Sequence, residues 1–290
     1  VTELITITAP AKINLSLRIL GKRPDGFHEL ETLMAPIQLA DTLEISHGAG
    51  KGVTLICNDP DLPAGSDNLC VKAVEAFRVA TGLDHGIAIT LLKKIPHGAG
   101  LGGGSSDAAA VLKGLNELFD HPLVHQELEQ LAASLGSDVP FFLDNGPAWC
   151  RGRGEIIEHL KDAGAFPGRR ILLIKPPFPV PSAWAYKQYA ELAGTPSKLI
   201  EEPAQFLGNI PIINDLERPV FEKYLLLPVL KSWLRDQSGV ESAFMTGSGS
   251  TMVAILVPET ASEEIADLKQ GILSKFGETM WITETCFCGS

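Results

Sequence analysis

The sequence predicts an α+β fold in two domains, and three observations carry the prediction. Segments with period-two apolar alternation interchange with segments of helical spacing. The strand-like segments at both ends of the chain read as antiparallel hairpins, which favours α+β over a doubly wound sheet. A cluster of Gly, Pro and polar residues, "KDAGAFPGRR" at 161–170, breaks the chain past its middle. The expected domains are residues 1–162 and 168–290.

Taken in order, "ITITAPAKINLSLRIL" alternates. Ile13, Leu15, Leu17 and Ile19 fall on one side and Asn14, Ser16 and Arg18 on the other, as in a half-buried strand. "TLEIS" and "VTLIC" read as short strands. "NLCVKAVEAFRVATG" has helical spacing and ends at Gly82, a residue suited to a left-handed helix terminus. "GIAITLLKKI" reads as a strand. "SSDAAAVLKGLNELF" reads as a helix with Ser and Asp at its start and Val111, Leu112, Leu115 and Leu118 on one face. "QELEQLAASLG" is a further helix closed by Gly136. Beyond the break come a strand ("ILLIKPP"), a helix from about Ser182, and a loop rich in Pro and Asn. One helical stretch ("PVFEKYLLLPVLKSWLRD") follows, then a strand–glycine–strand unit ("AFMTGSGSTMVAILV"), a helix and a last strand ("TMWITETCF").

The chain has 290 residues, 45% hydrophobic and 20% charged, which is the composition of a globular protein with a full core. A formal net charge of −11 argues against nucleic-acid or anionic-membrane partners, and makes any anion site a local basic pocket. No apolar run reaches the ~18 residues of a membrane span. The opening "VTELITITAPAKINL" lacks the pattern of a signal peptide. Cys57, Cys70, Cys150, Cys286 and Cys288 match neither a disulfide framework nor a zinc site, so reduced thiols and a cytoplasmic location are expected.

"IPHGAGLGGGSSDAAAVL", residues 95–112, sits between a strand and a helix. That order gathers backbone N–H groups and the positive end of a helix at one point, an anion site for which phosphate is the usual occupant. The P-loop pattern fails because no lysine follows the glycines. Gly98, Gly100 and Gly103 match a dinucleotide fingerprint, but the chain runs on into another helix instead of completing the required βαβ unit. The downstream signatures of protein kinases are missing.

The string from Pro96 through Gly100-Leu101-Gly102-Gly103-Gly104-Ser105-Ser106 resembles the central motif of the small-molecule kinases related to galactokinase, homoserine kinase and mevalonate kinase (GHMP). "APAKINL" (9–15) and "MTGSGST" (245–251) resemble that superfamily's first and third motifs. Within it, "PAKINLSLRILGKRPDGFHELETLM", "LGSDVPFF" and "NDLE" (214–217) resemble the 4-diphosphocytidyl-2-C-methyl-D-erythritol kinase family over about residues 9–255. The resemblance implies a two-domain fold with its active site in the cleft, and ATP- and Mg²⁺-dependent phosphorylation of the 2-hydroxyl of a small molecule carrying cytidine diphosphate.

The resemblance also implies roles. Asp138 is the general base; from the residues alone it is a helix N-cap ahead of Pro140. Lys12 stands beside Asp138 and keeps it ionised; from the residues alone it is a solvated strand lysine. ATP is implied at Asn68, Leu69, Lys93 and the run Pro96, His97, Gly98, Ala99, Gly100, Leu101, Gly102, Gly103, Gly104, Ser105 and Ser106. Ser106 is the implied Mg²⁺ ligand. Lys93 and Lys94 are either added positive charge or a solvated strand end. Phe27, His28 and Tyr186 form the implied cytosine clamp, with two rings stacked on the base and His28 on its edge. Asn14 meets the erythritol end. Without the motif, Phe27 and Tyr186 read as core residues and His28 as an exposed turn residue. Phe27 stands where tyrosine is common, keeping a stacking face and losing a hydroxyl.

Overall fold

A computed structural model describes residues 3–144, 146–160, 164, 166–197, 199 and 203–288. Its elements in chain order are β1 (Leu4–Lys22), β2 (His28–His47), β3 (Val53–Cys57), α1 (Leu69–Thr81), β4 (Ile87–Leu92), α2 (Gly103–Leu118) and α3 (His125–Leu135). A 3₁₀ turn (Pro140–Phe142) leads to β5 (Ala148–Gly152), β6 (Ile156–His159), β7 (Arg170–Lys175) and α4 (Ser182–Glu191). Then come β8 (Gln205–Leu207), β9 (Ile210–Asn214), α5 (Glu217–Lys223), α6 (Leu226–Arg235), β10 (Val240–Met245), β11 (Met252–Leu256), α7 (Ser262–Phe276) and β12 (Trp281–Cys286).

β1 and β2 form one long antiparallel ribbon running from Leu4↔Ser46 to Lys22↔His28. The ribbon is the spine of the first sheet, in the order β3-β4-β2-β1-β9-β8, with β5 and β6 added along the start of β2. The second sheet, β10-β11-β7-β12, is antiparallel throughout. The helices α1 and α2 pack on the first sheet, and α3 packs on them in the same core. Residues of α4–α7 pack in a second core against the second sheet. A third core joins the sheets: Ala11, Ile13, Leu15, Leu33 and Ile37 meet Ile171, Leu173, Phe244, Val253, Ile255 and Phe287.

This joint corrects the half-buried reading of β1. Lys12, Asn14 and Ser16 are buried along with Ala11, Ile13 and Leu15. The register shifts between Asn14 and Ser16, and the four apolar residues divide between two cores, Ile13 and Leu15 in one and Leu17 and Ile19 in the other. A bulge at a site edge is a common way to re-aim side chains. The helix α2 is buried on nearly every side rather than on one face, because α1, α3 and the ribbon all pack on it. Gly114 is required there, since a Cβ would lie 2.6 Å from Ile45 Cδ1.

Three other expectations change. "TLEIS" is the end of the 20-residue β2 rather than a separate strand. The stretch at 219–236 is two helices, broken at Tyr224 (φ −102°, ψ 75°). Pro228 explains the break: a continuous helix would need its missing N–H to reach the Tyr224 carbonyl. The Pro- and Asn-rich loop holds the β8–β9 hairpin, and β9 joins β1 in parallel at Ser16↔Ile213 and Leu17↔Asn214. Within the expected link at 161–170, residues 161–163 and 165 lie outside the described residues.

Candidate active site

The glycine loop alternates backbone freedom with anchoring. Gly98, Gly100 and Gly102 adopt φ of +63°, +76° and +72°, a region that costs a residue with Cβ about 1–2 kcal/mol. The residues between them, Ala99 and Leu101, are buried, so apolar burial holds the loop down while the glycines turn it. Gly102 is also the N-cap of α2, which starts two residues before Ser105. Its Cβ would meet Phe142 Cζ at 2.8 Å and the Lys12 side chain at 3.0 Å. A Cβ on Gly100 would meet the carbonyl oxygens of Thr246 at 2.9 Å and Gly249 at 3.0 Å. The two glycine loops, 98–104 and 246–249, therefore touch backbone to backbone.

Beneath the first loop the Lys12 N–H donates to the Leu101 carbonyl (2.9 Å). The Lys12 ammonium, nearly buried, donates to Asn14 Oδ1 (2.6 Å) and lies 3.4 Å from Asp138 Oδ2. Asn14 Nδ2 donates to Thr32 Oγ1 (2.8 Å), whose hydroxyl donates to the Ser16 carbonyl (2.6 Å). The Asn14 N–H donates to Thr246 Oγ1 (2.8 Å). Each polar group buried here has a partner, as burial demands. The 3₁₀ turn is capped by Val139 without a side-chain bond, so Asp138 is not the helix cap that its place before Pro140 suggests. Its carboxylate faces Lys12 instead.

These groups line a cavity of about 960 Å³. Gly100, Gly102, Gly247 and Ser248 form part of its wall, with Lys12, Asn14, Thr32 and Asp138. Further lining comes from Lys22, Phe27, His28, Arg153 and Tyr186. His28 stacks on Tyr186 (5.4 Å between centroids, 22° between planes). The His28 Nε2 is buried with no hydrogen-bond partner among the described residues. Burial first, and then Lys22, lowers the pKa of His28 below the usual histidine value, so the ring is held neutral. Burial likewise pushes up the Tyr186 hydroxyl. Phe27 is half exposed, and the Arg153 guanidinium sits 4.9 Å from its ring centroid. The ring pair is thus His28–Tyr186, with Phe27 facing Arg153. Lys22, Arg153 and Lys187 make this cavity locally basic in an acidic chain.

The remaining expected site residues flank the start of α2. A Cβ on Gly103 would lie 3.2 Å from Lys93 Nζ, and one on Gly104 3.6 Å from Leu69 Cδ1. Asn68 is the side-chain N-cap of α1, accepting from the Cys70 N–H (2.8 Å). Lys93 is not a solvated strand end: its ammonium is buried between Asp41 and Asp107, 2.7 Å from Asp107 Oδ2. Desolvation and the neighbouring Asp41 raise Asp107 to about 7. Ser106 is buried, and its hydroxyl has no partner among the described residues. Pro96 and His97 lie at the outer edge of the loop and do not line the cavity.

Sequence reading missed Lys22, Thr32, Arg153 and the part played by "NDLE". Asn214 donates to the carbonyls of Met245 (2.7 Å) and Gly247 (2.8 Å). Glu217 accepts from the Met245 N–H (2.9 Å), and Asp215 from the Ile19 N–H (2.7 Å). The motif braces the second glycine loop against β1.

Residues 68–146 match the family model described as GHMP kinases N terminal domain. The chain is 46% identical over 274 residues to 4-diphosphocytidyl-2-C-methyl-D-erythritol kinase of Methylacidiphilum infernorum, covering 94% of this chain and 93% of that one. A crystal structure of 4-(cytidine 5'-diphospho)-2C-methyl-D-erythritol kinase aligns with a TM-score of 0.76 at 32% identity, over 99% of this chain and 100% of the other. Homoserine kinase from Cytophaga hutchinsonii shares the fold, with a TM-score of 0.68 at 17% identity over 98% and 95% of the two chains.

Proposed function

The chain belongs to the 4-diphosphocytidyl-2-C-methyl-D-erythritol kinase family, and on that footing we propose that it transfers the γ-phosphoryl group of ATP to the 2-hydroxyl of 4-diphosphocytidyl-2-C-methyl-D-erythritol, a step in non-mevalonate isoprenoid precursor synthesis. The observation that carries the reading is the Lys12–Asp138 pair, 3.4 Å apart, on the wall of the cavity that also holds Gly100, Gly102 and the His28–Tyr186 stack.

In this reading the triphosphate lies on the amides of 100–106 and the α2 N-terminus, which supply donors and positive potential without bulk. Asn68, Leu69 and Lys93 border the nucleotide. Asp138 takes the proton of the 2-hydroxyl as the phosphoryl group arrives in line. Lys12 stabilises the ionised carboxylate and the developing alkoxide. The alcohol is tertiary, so positioning contributes more than base strength. The unprotonated His28 Nε2 accepts from the cytosine amino group, while Phe27 and Tyr186 offer ring faces. Asn14 meets the erythritol end, and Lys22 and Arg153 face the diphosphate.

Mg²⁺, when bound, would neutralise phosphate oxygens; the buried Ser106 hydroxyl, without a partner among the described residues, fits as one of its holders. The division into domains 1–162 and 168–290 and a cytoplasmic location belong to the same reading. Among the described residues no helix is long and apolar enough to cross a membrane.

A homoserine- or mevalonate-type activity is disfavoured by the ring-lined end of the cavity. The test offers ATP with the cytidylated substrate, 2-C-methyl-D-erythritol 4-phosphate, homoserine or mevalonate, and follows product by ³¹P NMR. Phosphorylation of the cytidylated compound alone is expected. Equal turnover of compounds without cytidine overturns the reading.

A further inference from the structure

Outside the cavity, four metal-ligating side chains from three segments converge at the surface. His125 opens α3, and Glu129 lies one turn further on the same side. Asp144 follows the 3₁₀ turn, and His159 ends β6. His125 Nε2 lies 3.4 Å from Glu129 Oε1 and 3.5 Å from Asp144 Oδ2. His159 Nε2 lies 3.4 Å from the same Asp144 oxygen. The ligand atoms of His125, Glu129 and Asp144 all fall within 4.8 Å of one another.

These separations are long for N–H···O bonds, which cluster at about 2.7–3.2 Å. The His125–Glu129 and His125–Asp144 separations instead suit neighbouring ligands of one small ion. With Zn–N and Zn–O bonds of about 2.0–2.2 Å, neighbouring ligand atoms stand roughly 3.3–3.6 Å apart. One imidazole nitrogen and two carboxylate oxygens, with an open fourth position for water, suit a borderline divalent ion of the zinc class, whereas Mg²⁺ and Ca²⁺ favour all-oxygen shells.

We propose that His125, Glu129 and Asp144 hold a zinc-class divalent cation at the surface, with His159 set against the Asp144 carboxylate beside it, distinct from any Mg²⁺ carried with ATP. Two carboxylates offset the ion's charge. The side chains are all partly exposed, between 39% and 55%, so the ion enters from solvent and exchanges. Asp144 closes the segment that begins at Asp138, so the bound ion ties that segment to α3.

The test is calorimetric titration of the metal-stripped full chain with Zn²⁺, and with Co²⁺ as a visible-absorption probe. One equivalent of Zn²⁺ should bind, and Co²⁺ should give the intense visible bands of a four-coordinate site. His125→Ala and Asp144→Ala should each weaken Zn²⁺ binding by at least ~10-fold, and the double variant should abolish the Co²⁺ bands. All four positions are on the surface, so the variants should fold as the parent does. Absence of stoichiometric Zn²⁺ binding, or binding that survives in the double variant, overturns the site. Neither readout depends on phosphoryl transfer.

Discussion

Gly102→Ala separates backbone strain from loss of the catalytic geometry. Alanine at φ +72° costs about 1–2 kcal/mol. The new methyl would stand 2.8 Å from Phe142 Cζ and 3.0–3.1 Å from the Lys12 stem. Phe142 is buried and cannot swing into solvent, so overpacking adds about 1–3 kcal/mol. The sum, roughly 2–5 kcal/mol, corresponds to a Tm loss of about 5–15 °C in a chain of this size. Lys12 is the softer neighbour and gives way, leaving Asn14 and Asp138 out of register. A displacement of about 1 Å at a reacting centre costs roughly 100-fold in turnover. Gly82→Ala is the control. It has the same φ of +72° but nothing within 4 Å of the added methyl, so it should lose about 1–2 kcal/mol and keep its kcat. Thermal melts and steady-state kinetics on both variants decide. Full turnover in Gly102→Ala, or an equal loss in Gly82→Ala, refutes the claim that the bare loop backbone positions Lys12.

His28→Ala should raise KM for the cytidylated substrate by about 10–100-fold, the cost of one buried hydrogen bond, and leave KM for ATP unchanged. In the parent protein that KM should hold steady at neutral pH and rise only below the ordinary histidine range, because the ring's pKa is lowered; a rise beginning above pH 7 contradicts the neutral-ring assignment. Asn214→Ala removes two bonds to the second glycine loop and should cost about 1–3 kcal/mol in denaturant unfolding; an unchanged midpoint refutes the brace. Asp107 is raised from 3.8 to about 7, so between those values the native state holds a proton that the unfolded chain has released. Stability therefore falls as pH rises from about 4 to 7. Asp107→Asn lacks this loss and should gain on the parent as pH rises across that window. Parallel pH–stability curves refute the burial argument.

What the sequence reveals follows from where the determining forces are local. The helices α1, α2 and α3 and the strand β4 are legible because apolar period and the terminal Gly82 act within the segment. The glycine loop is legible because its conformation needs residues without Cβ. The β8–β9 hairpin is not, because its short strands are fixed by β1, some 200 positions away. Lys12 and Asn14 look like the polar side of a strand, and only packing of the second sheet on the ribbon buries them. Lys93 reads as a surface cation because its two carboxylate partners come from β2 and α2. Arg153 escapes notice because its partner ring lies 126 residues earlier, at Phe27.

The central claim is that Asp138, set against Lys12, readies an alcohol for a phosphoryl group held over the glycine loop. Its most direct test is Asp138→Asn, with single-turnover phosphoryl transfer and equilibrium binding of ATP and the cytidylated substrate measured on the same preparation. Transfer should slow by at least ~100-fold while both affinities stay near those of the parent. Transfer at the parent rate, or a loss explained wholly by weaker binding, contradicts the account.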